Sequence, residues 1–418
     1  MKSGQNSTLL SVGEALDILL SRIEPIDRDE SAALFDCAGR TLFEDILAKR
    51  DLPSFDNSAM DGYAVKIADA GKTVRTIGRV YAGADLQGAI KSGECIKIMT
   101  GAPIPEGAEA IAMIEHVQSA GENLVKLPEQ IALYQHIRKA GEEIKTGDTL
   151  LRRGERLNAV KCAALASQGV TIAKVYQRLK VAVISSGDEV VEPWLSPSRF
   201  QIFNTNAVTM TLSLKEAGFD AHYEGLCKDD PRLLAQKIEK ALSENDALIV
   251  TGGVSVGDAD YARKAFESLN AEIFFHGLNF KPGKPTMTGK VFGKHFFALP
   301  GNPLSAFANL RIFAFPALRK LQGDRAFYGD FCVAINDVAF EIKGDRDTAF
   351  LGALKNGRWQ ISRGGKYGSS MLLPIVESDS FAIFTKEARE VKAGEIIKIV
   401  PFDRFPKVSQ GDPINRGR

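Results

Sequence analysis

Between residue 179 and about residue 322, strand-like and helix-like segments take turns along the chain, and this alternation restricts the fold more than any other feature. "LKVAVIS", "DAHYEGL", "DALIVTGG" and "HFFAL" read as strands. "TNAVTMTLSLKEAG", "DPRLLAQKIEKAL", "YARKAFESL" and "LSAFANLRIFAFPALRKL" read as helices, the second started by Asp230-Pro231. The pattern predicts a doubly wound, mostly parallel sheet covered by helices on both faces.

One such domain does not use up 418 residues, and chains of this length divide into several cores. Upstream, Ser11-Val12-Gly13-Glu14 has the form of a capping box. It opens an amphipathic helix with Val12, Ala15, Leu16, Leu19 and Ile23 on one face until Pro25. Residues 39–46 read as a second helix, and 157–169 as a third that stops at its glycine. From residue 51 to about 145, short apolar segments such as "TVRTIGRVY", "CIKIM" and "EAIAMI" are broken by Gly and Pro, predicting a β-rich module. After Gly323 short strands return in "FCVAI", "FAIF" and "EIIKIV", predicting a small β-barrel or sandwich. The polar tail, 404–418, reads as disordered.

Lys+Arg is 53 against Asp+Glu 52, so bulk charge offers no case for nucleic acid or an anionic membrane. "MKSGQNSTLL" lacks a signal-peptide core and no apolar run reaches bilayer length. Five widely spaced cysteines without a CxxC read as reduced thiols in a cytoplasmic protein. The five histidines form no HExxH, which argues against a transition-metal site built from protein ligands alone.

In an open α/β sheet ligands bind where strands end and loops feed helices. Here those loops are "SSGDEV" with Asp188 and Glu189, "CKDDP" with Asp229 and Asp230, "TGGVSVGDAD" with Asp258 and Asp260, and "LPGNPLSA". Glycines allow close approach to phosphate, and carboxylates suit Mg2+, so a phosphorylated ligand bridged by magnesium is one reading. Helix capping and tight turns explain each loop singly; their coincidence at one sheet edge favours the ligand. In "NFKPGKPTM", Lys281 and Lys284 flank a Pro-Gly turn, either as a solvated surface turn or as a seat for an anion. "SFDNSAMDGYAV" gathers Asp56, Asn57, Ser58 and Asp61 in a similar polar, turn-rich stretch.

Six motifs in order, "FDNSAMDGYAV", "IMTGAPIPEGAEAI", "SSGDEV", "GGVSVGDADY", "KPGKP" and "LPGNPLSA", make the chain resemble the molybdopterin molybdenumtransferases, the family that includes the gephyrin E domain. The resemblance implies a multidomain α/β plus β subunit. A helical linking domain (1–50 and 146–178) carries an inserted β-rich domain (51–145), followed by a molybdopterin-binding α/β domain (179–325) and a C-terminal β-barrel (326–403). It implies a homodimer whose site is shared between subunits, with Asp61 and Thr100 reaching the partner's α/β domain. The implied reaction inserts molybdate into adenylylated molybdopterin, with Mg2+-dependent cleavage of the phosphoanhydride and release of AMP. A molybdopterin adenylyltransferase is the implied partner.

By the same resemblance, Glu189, Asp229 and Asp260 surround magnesium and the adenylylated substrate, with Asp258 a weaker match. Gly252, Gly253, Ser255 and Gly257 cradle the phosphate-bearing ligand. Lys281 and Lys284, with Pro300 and Pro303, form the oxyanion region, to which Arg346 and Ser369 add C-terminal contributions. A guanidinium, two ammonium groups and a hydroxyl supply charge and directed donors for a tetrahedral dianion. The chain departs from the family pattern at Glu142-Glu143, where an Asp is usual, and in "FLGAL" and "GSSML" near Arg346 and Ser369. Two other readings remain at this stage: a non-catalytic scaffold, and an adenylyltransferase-like enzyme on the same α/β domain.

Overall fold

The computed structural model describes residues 9–85, 88–254, 260–329 and 331–402. At its centre six strands line up in the order Asp220–Cys227, Lys180–Ser186, Ala247–Thr251, Lys294–Leu299, Met287–Val291 and Glu272–His276. The first four run parallel, with Val181 opposite both Ala221 and Ala247. Met287–Val291 runs antiparallel to both its neighbours, Lys294–Leu299 and Glu272–His276, and neither it nor Glu272–His276 had a counterpart in the sequence reading. The hairpin that joins Met287–Val291 to Lys294–Leu299 turns on Phe292 and Gly293, both with positive φ (52° and 74°). A two-residue turn of that kind normally announces itself as Asn-Gly or Asp-Gly, so "FG" gave no signal.

Successive strand residues face opposite sides, and each side has its own core. Val181, Val183, Ile249 and Phe297 pack with Met210 and Leu214 of the helix Thr205–Glu216 and with Phe313. Ala182, Ile184, Leu248 and Phe296 pack instead with Leu234 and Ile238 of Pro231–Glu244 and with Phe266 of Tyr261–Ser268. Helices on both faces explain why Ala247–Thr251 is buried at every position. The helix expected over 304–321 forms with one irregularity: Pro303–Asn309 and Phe315–Leu321 are joined by a π turn, Leu310–Ala314. Pro316 has no N–H for the preceding turn and its ring crowds it, and the wider π turn accommodates both.

The capping box at Ser11 forms, with Glu14 N donating to Ser11 Oγ at 3.3 Å and Ser11 N to Glu14 Oε2 at 2.8 Å. The helix it starts, Val12–Ser21, buries Ala15 and Leu19 against the central domain. A separate small core joins Leu42 and Cys37 to Leu151, Leu157, Leu165 and Val175. Residues 39–46 are not the helix that was expected. Thr41 and Leu42 bridge Arg156 and Val175, and Ile46–Leu47 pairs with Thr149–Leu151. Eight residues without caps make a marginal helix, and pairing with the returning chain outcompetes it. Ala159–Ser167 is helical, capped by Asn158 and ended by Gly169 at φ 69°.

The β-rich module leaves and returns at neighbouring points: Thr146 donates its N–H and its hydroxyl to Asp51 Oδ1, both at 2.8 Å. Within it Gly62–Val65, Thr73–Val80 and Glu94–Ile98 lie in a mixed six-stranded sheet. In the C-terminal region Cys332–Asn336, Arg358–Ile361, Asp347–Lys355, Ser380–Phe384 and Ile396–Pro401 pair in a closed ring, a five-stranded barrel around Trp359. Phe280–Lys281 joins its wall in parallel with Asp347 and Thr348, which docks the lysine turn against the barrel. All five cysteines are unpaired. Among the described residues no helix is long and apolar enough to cross a membrane.

Candidate active site

The parallel strands Asp220–Cys227, Lys180–Ser186, Ala247–Thr251 and Lys294–Leu299 deliver four loops to one end of the sheet, where a cleft of about 710 Å³ opens. Glu189, Asp229, Gly252, Gly253, Pro300 and Pro303 line it. Gly252 has φ 86°, and a Cβ there would stand 2.1 Å from Ser186 O, so only glycine fits. Ser186 Oγ donates to Asp229 Oδ1 at 2.7 Å, and Asp229 N reaches Asp188 Oδ1 at 3.3 Å. These bonds hold one carboxylate at the strand tips with an oxygen left over for a ligand. Its neighbour Asp230 has the ordinary job: its Oδ1 accepts from Arg232 N and Leu233 N and caps the next helix.

A second cleft, about 500 Å³, lies between the lysine turn and the barrel. Lys281, Lys284, Arg346 and Ser369 all line it, brought together from positions up to 88 residues apart (369 − 281). Ser369 Oγ accepts from Asn302 Nδ2 at 3.0 Å, which leaves the hydroxyl proton for a bound oxygen. Pro285, Pro300 and Asn302 line both clefts, so the acidic, glycine-rich cradle and the cationic pocket adjoin.

Other predicted residues lie elsewhere. Asp260 is 6% exposed, caps Tyr261–Ser268 through Arg263 N at 3.3 Å, and sits 3.4 Å from His276 Nε2; it lines neither cleft. Burial pushes its carboxyl up and the His276 imidazole down. Ser255, Gly257 and Asp258 lie outside the described residues. Asp61 and Thr100 do meet: Asp61 Oδ1 accepts from Thr100 N at 2.7 Å and Thr100 Oγ1 at 2.8 Å, which holds the carboxyl below its ordinary range. Both are in the inserted module, outside both clefts of their own chain.

A buried polar group under the first cleft escaped the sequence reading. Ser185 Oγ lies 3.2 Å from both Asn204 Oδ1 and Thr251 Oγ1. Asn204 Nδ2 and Tyr223 OH are 2.8 Å apart, and Tyr223 OH donates to Glu192 Oε1 at 2.6 Å. Burial and the Glu192 carboxylate raise the Tyr223 hydroxyl, keeping it protonated as a donor. The signal was present in "TNAVTMTL", where a helix start follows the dipeptide Phe203-Asn204, but caps of this kind are common enough to hide it.

Among the described residues no three His, Cys, Asp or Glu side chains converge as a metal cage. Mg2+ commonly keeps several waters and binds through one or two carboxylates plus substrate phosphates. Asp229 and Glu189 in one cleft fit a cation that arrives with phosphate.

Known proteins correspond to this arrangement over nearly the whole chain. The MoeA N-terminal region (domain I and II) matches residues 10–169, and a family described as a probable molybdopterin binding domain matches 182–320. The molybdopterin molybdenumtransferase of Haemophilus influenzae is 33% identical over 403 residues, covering 95% of this chain and 100% of that protein. The Staphylococcus epidermidis protein of the same name is 30% identical over 410 residues, 95% and 97% of the two chains. The crystal structure of a molybdopterin biosynthesis moeA protein from Pyrococcus horikoshii OT3 superposes with a TM-score of 0.82 at 28% identity, covering 94% of this chain and 99% of that one. Agreement of this extent, in sequence and in the path of the backbone alike, makes the chain a member of the molybdopterin molybdenumtransferase family.

Proposed function

We propose that this protein inserts molybdate into adenylylated molybdopterin, with cleavage of the phosphoanhydride and release of AMP. The observation that carries the reading is the shared wall of the two clefts, Pro285, Pro300 and Asn302. It lets one ligand keep its phosphates over Gly252 and Gly253 while an oxyanion sits by Lys281, Lys284 and Arg346. Two ammonium groups and a guanidinium balance a dianion, and the Ser369 hydroxyl orients one of its oxygens. Asp229, braced by Ser186, and Glu189 would hold Mg2+, whose charge would offset that of the phosphates. With no protein nucleophile required, the residues act by positioning and electrostatics.

The reading extends to a homodimer in which Asp61 and Thr100 of one subunit complete the cleft of the other. What supports this is an exposed, preorganised carboxylate–threonine pair outside both clefts of its own chain. The substrate must come from an enzyme that adenylylates molybdopterin, and the work belongs in the cytoplasm.

The test is incubation of the purified protein with adenylylated molybdopterin, molybdate and Mg2+, following AMP. Molybdate-dependent AMP formation is expected, reduced at least about a hundredfold in Asp229→Ala and Lys284→Ala. Unchanged turnover in both folded variants removes these residues from the site, and an inert wild type returns the scaffold reading.

A further inference from the structure

The helix Pro303–Asn309 and the turn after it are apolar buried chain: Leu304, Ala306, Phe307, Ala308 and Leu310 are all 6% exposed or less. Asn309 stands among them at 0% exposure, where an amide is costly unless it is hydrogen-bonded. Its bonds go to its own helix and to the lysine turn. Nδ2 donates to Ser305 O at 2.8 Å and to Pro282 O at 3.4 Å, and Oδ1 accepts from the Thr286 hydroxyl at 2.8 Å. That hydroxyl, itself fully buried, is also 2.9 Å from Gly283 O, so its one proton is shared. The amide orientation is determined, because turned over its oxygen would face two carbonyls. Gly283 (φ 121°) closes on the same amide: a Cβ there would stand 1.9 Å from Asn309 Nδ2.

Only Pro282 and Gly283 separate Lys281 from Lys284, and both of their carbonyls are engaged by this pair of side chains. A packed apolar side chain at 309 would serve the core at least as well, so the amide answers to the turn. We propose that Asn309, acting with Thr286, is a positioning residue that sets the separation of Lys281 and Lys284 and thereby the affinity of the second cleft for a tetrahedral oxyanion. This rests on the oxyanion reading of that cleft given above. The pair touches no substrate and acts through the two ammonium groups.

The test is calorimetric titration of the whole protein with molybdate, for wild type, Lys284→Ala, Thr286→Val, Thr286→Ser and Asn309→Asp, alongside AMP formation as a function of molybdate. Thr286→Val removes the hydroxyl at nearly constant volume, and Asn309→Asp sets a carboxylate against Pro282 O and Ser305 O. Both are expected to bind molybdate about tenfold more weakly, the loss of roughly one well-made hydrogen bond's worth of preorganisation. The molybdate concentration for half-maximal rate rises by the same factor, while the rate at saturating molybdate stays within about twofold. Thr286→Ser, which keeps the donor, binds as wild type does. Thermal midpoints identify any variant that fails to fold, and Thr286→Val decides the matter if Asn309→Asp does. Wild-type affinity in folded Thr286→Val, or a loss confined to the saturated rate, overturns the inference while loss of binding in Lys284→Ala leaves the oxyanion reading standing. No molybdate binding by the wild type removes both.

Discussion

At the scale of single residues, adjacent and chemically equal side chains are given different work by where the backbone ends. Asp229 projects into the cleft on the Ser186 bond, whereas Asp230, one residue on, is consumed as a helix cap. Gly252 is the tightest case. Replacing it by Ala puts a methyl group into Ser186 O and strains a positive φ, so Gly252→Ala should lose at least about 2 kcal/mol of stability in urea unfolding. AMP formation should fall more than about tenfold, because the strand end that carries Ser186, the residue that braces Asp229, must move. His295 makes a pH prediction: burial, with Lys290 adding in the same direction, lowers its imidazole to about 4. The unfolded chain takes up this proton near pH ~6.5, the folded one only near 4, so stability is lost as pH falls through that window, by roughly 3 kcal/mol. Urea unfolding at pH 7 and at about pH 4 should show a shallower acid slope in His295→Gln; an unchanged slope rules His295 out as the group responsible. Asp229, Glu189 and both lysines were legible because their motifs are local. Asp260 was legible as an acid at a helix start, but its pairing with His276 on a strand unread in the sequence was not.

At the scale of elements, periodicity located the parallel strands and the helices between them, since burial on two faces writes a continuous apolar run. The strand Met287–Val291 was missed because the turn that joins it to Lys294–Leu299 contains Phe292 where Asn is favoured. Phe292 is 53% exposed with φ 52°, so Phe292→Asn should stabilise the protein by about 0.5–1 kcal/mol, seen as a higher thermal midpoint. The 39–46 segment failed in the opposite sense. Its local composition allows a helix, yet Thr41 and Leu42 are claimed by partners more than a hundred residues away, Arg156 and Val175. The lysine turn shows how element pairing builds a site. Its first residues join the barrel wall at Asp347 and Thr348, and the same register brings Arg346 to the pocket.

At the scale of the whole molecule, the proposed dimer supplies a test that no single-chain variant offers. Asp61→Ala and Lys284→Ala damage different subunits' contributions to one composite site. Co-folded in equal amounts, they should recover roughly a quarter of wild-type AMP formation, since about half the dimers are mixed and each mixed dimer keeps one intact site. Size-exclusion chromatography with light scattering should find two chains per particle, and no recovery in mixed protein denies the shared site. The chain's own order of residues sufficed for what is local or periodic: the alternating α/β core, the short-stranded flanks, the glycine, acid and lysine motifs, and the family they compose. Tertiary structure alone decided which of those acids line a cleft, that the two clefts share a wall, and that Asn309 reaches back to hold the lysine turn. Those outcomes depend on contacts between residues far apart in the chain, and neither spacing nor propensity encodes which distant partner a buried polar group will find.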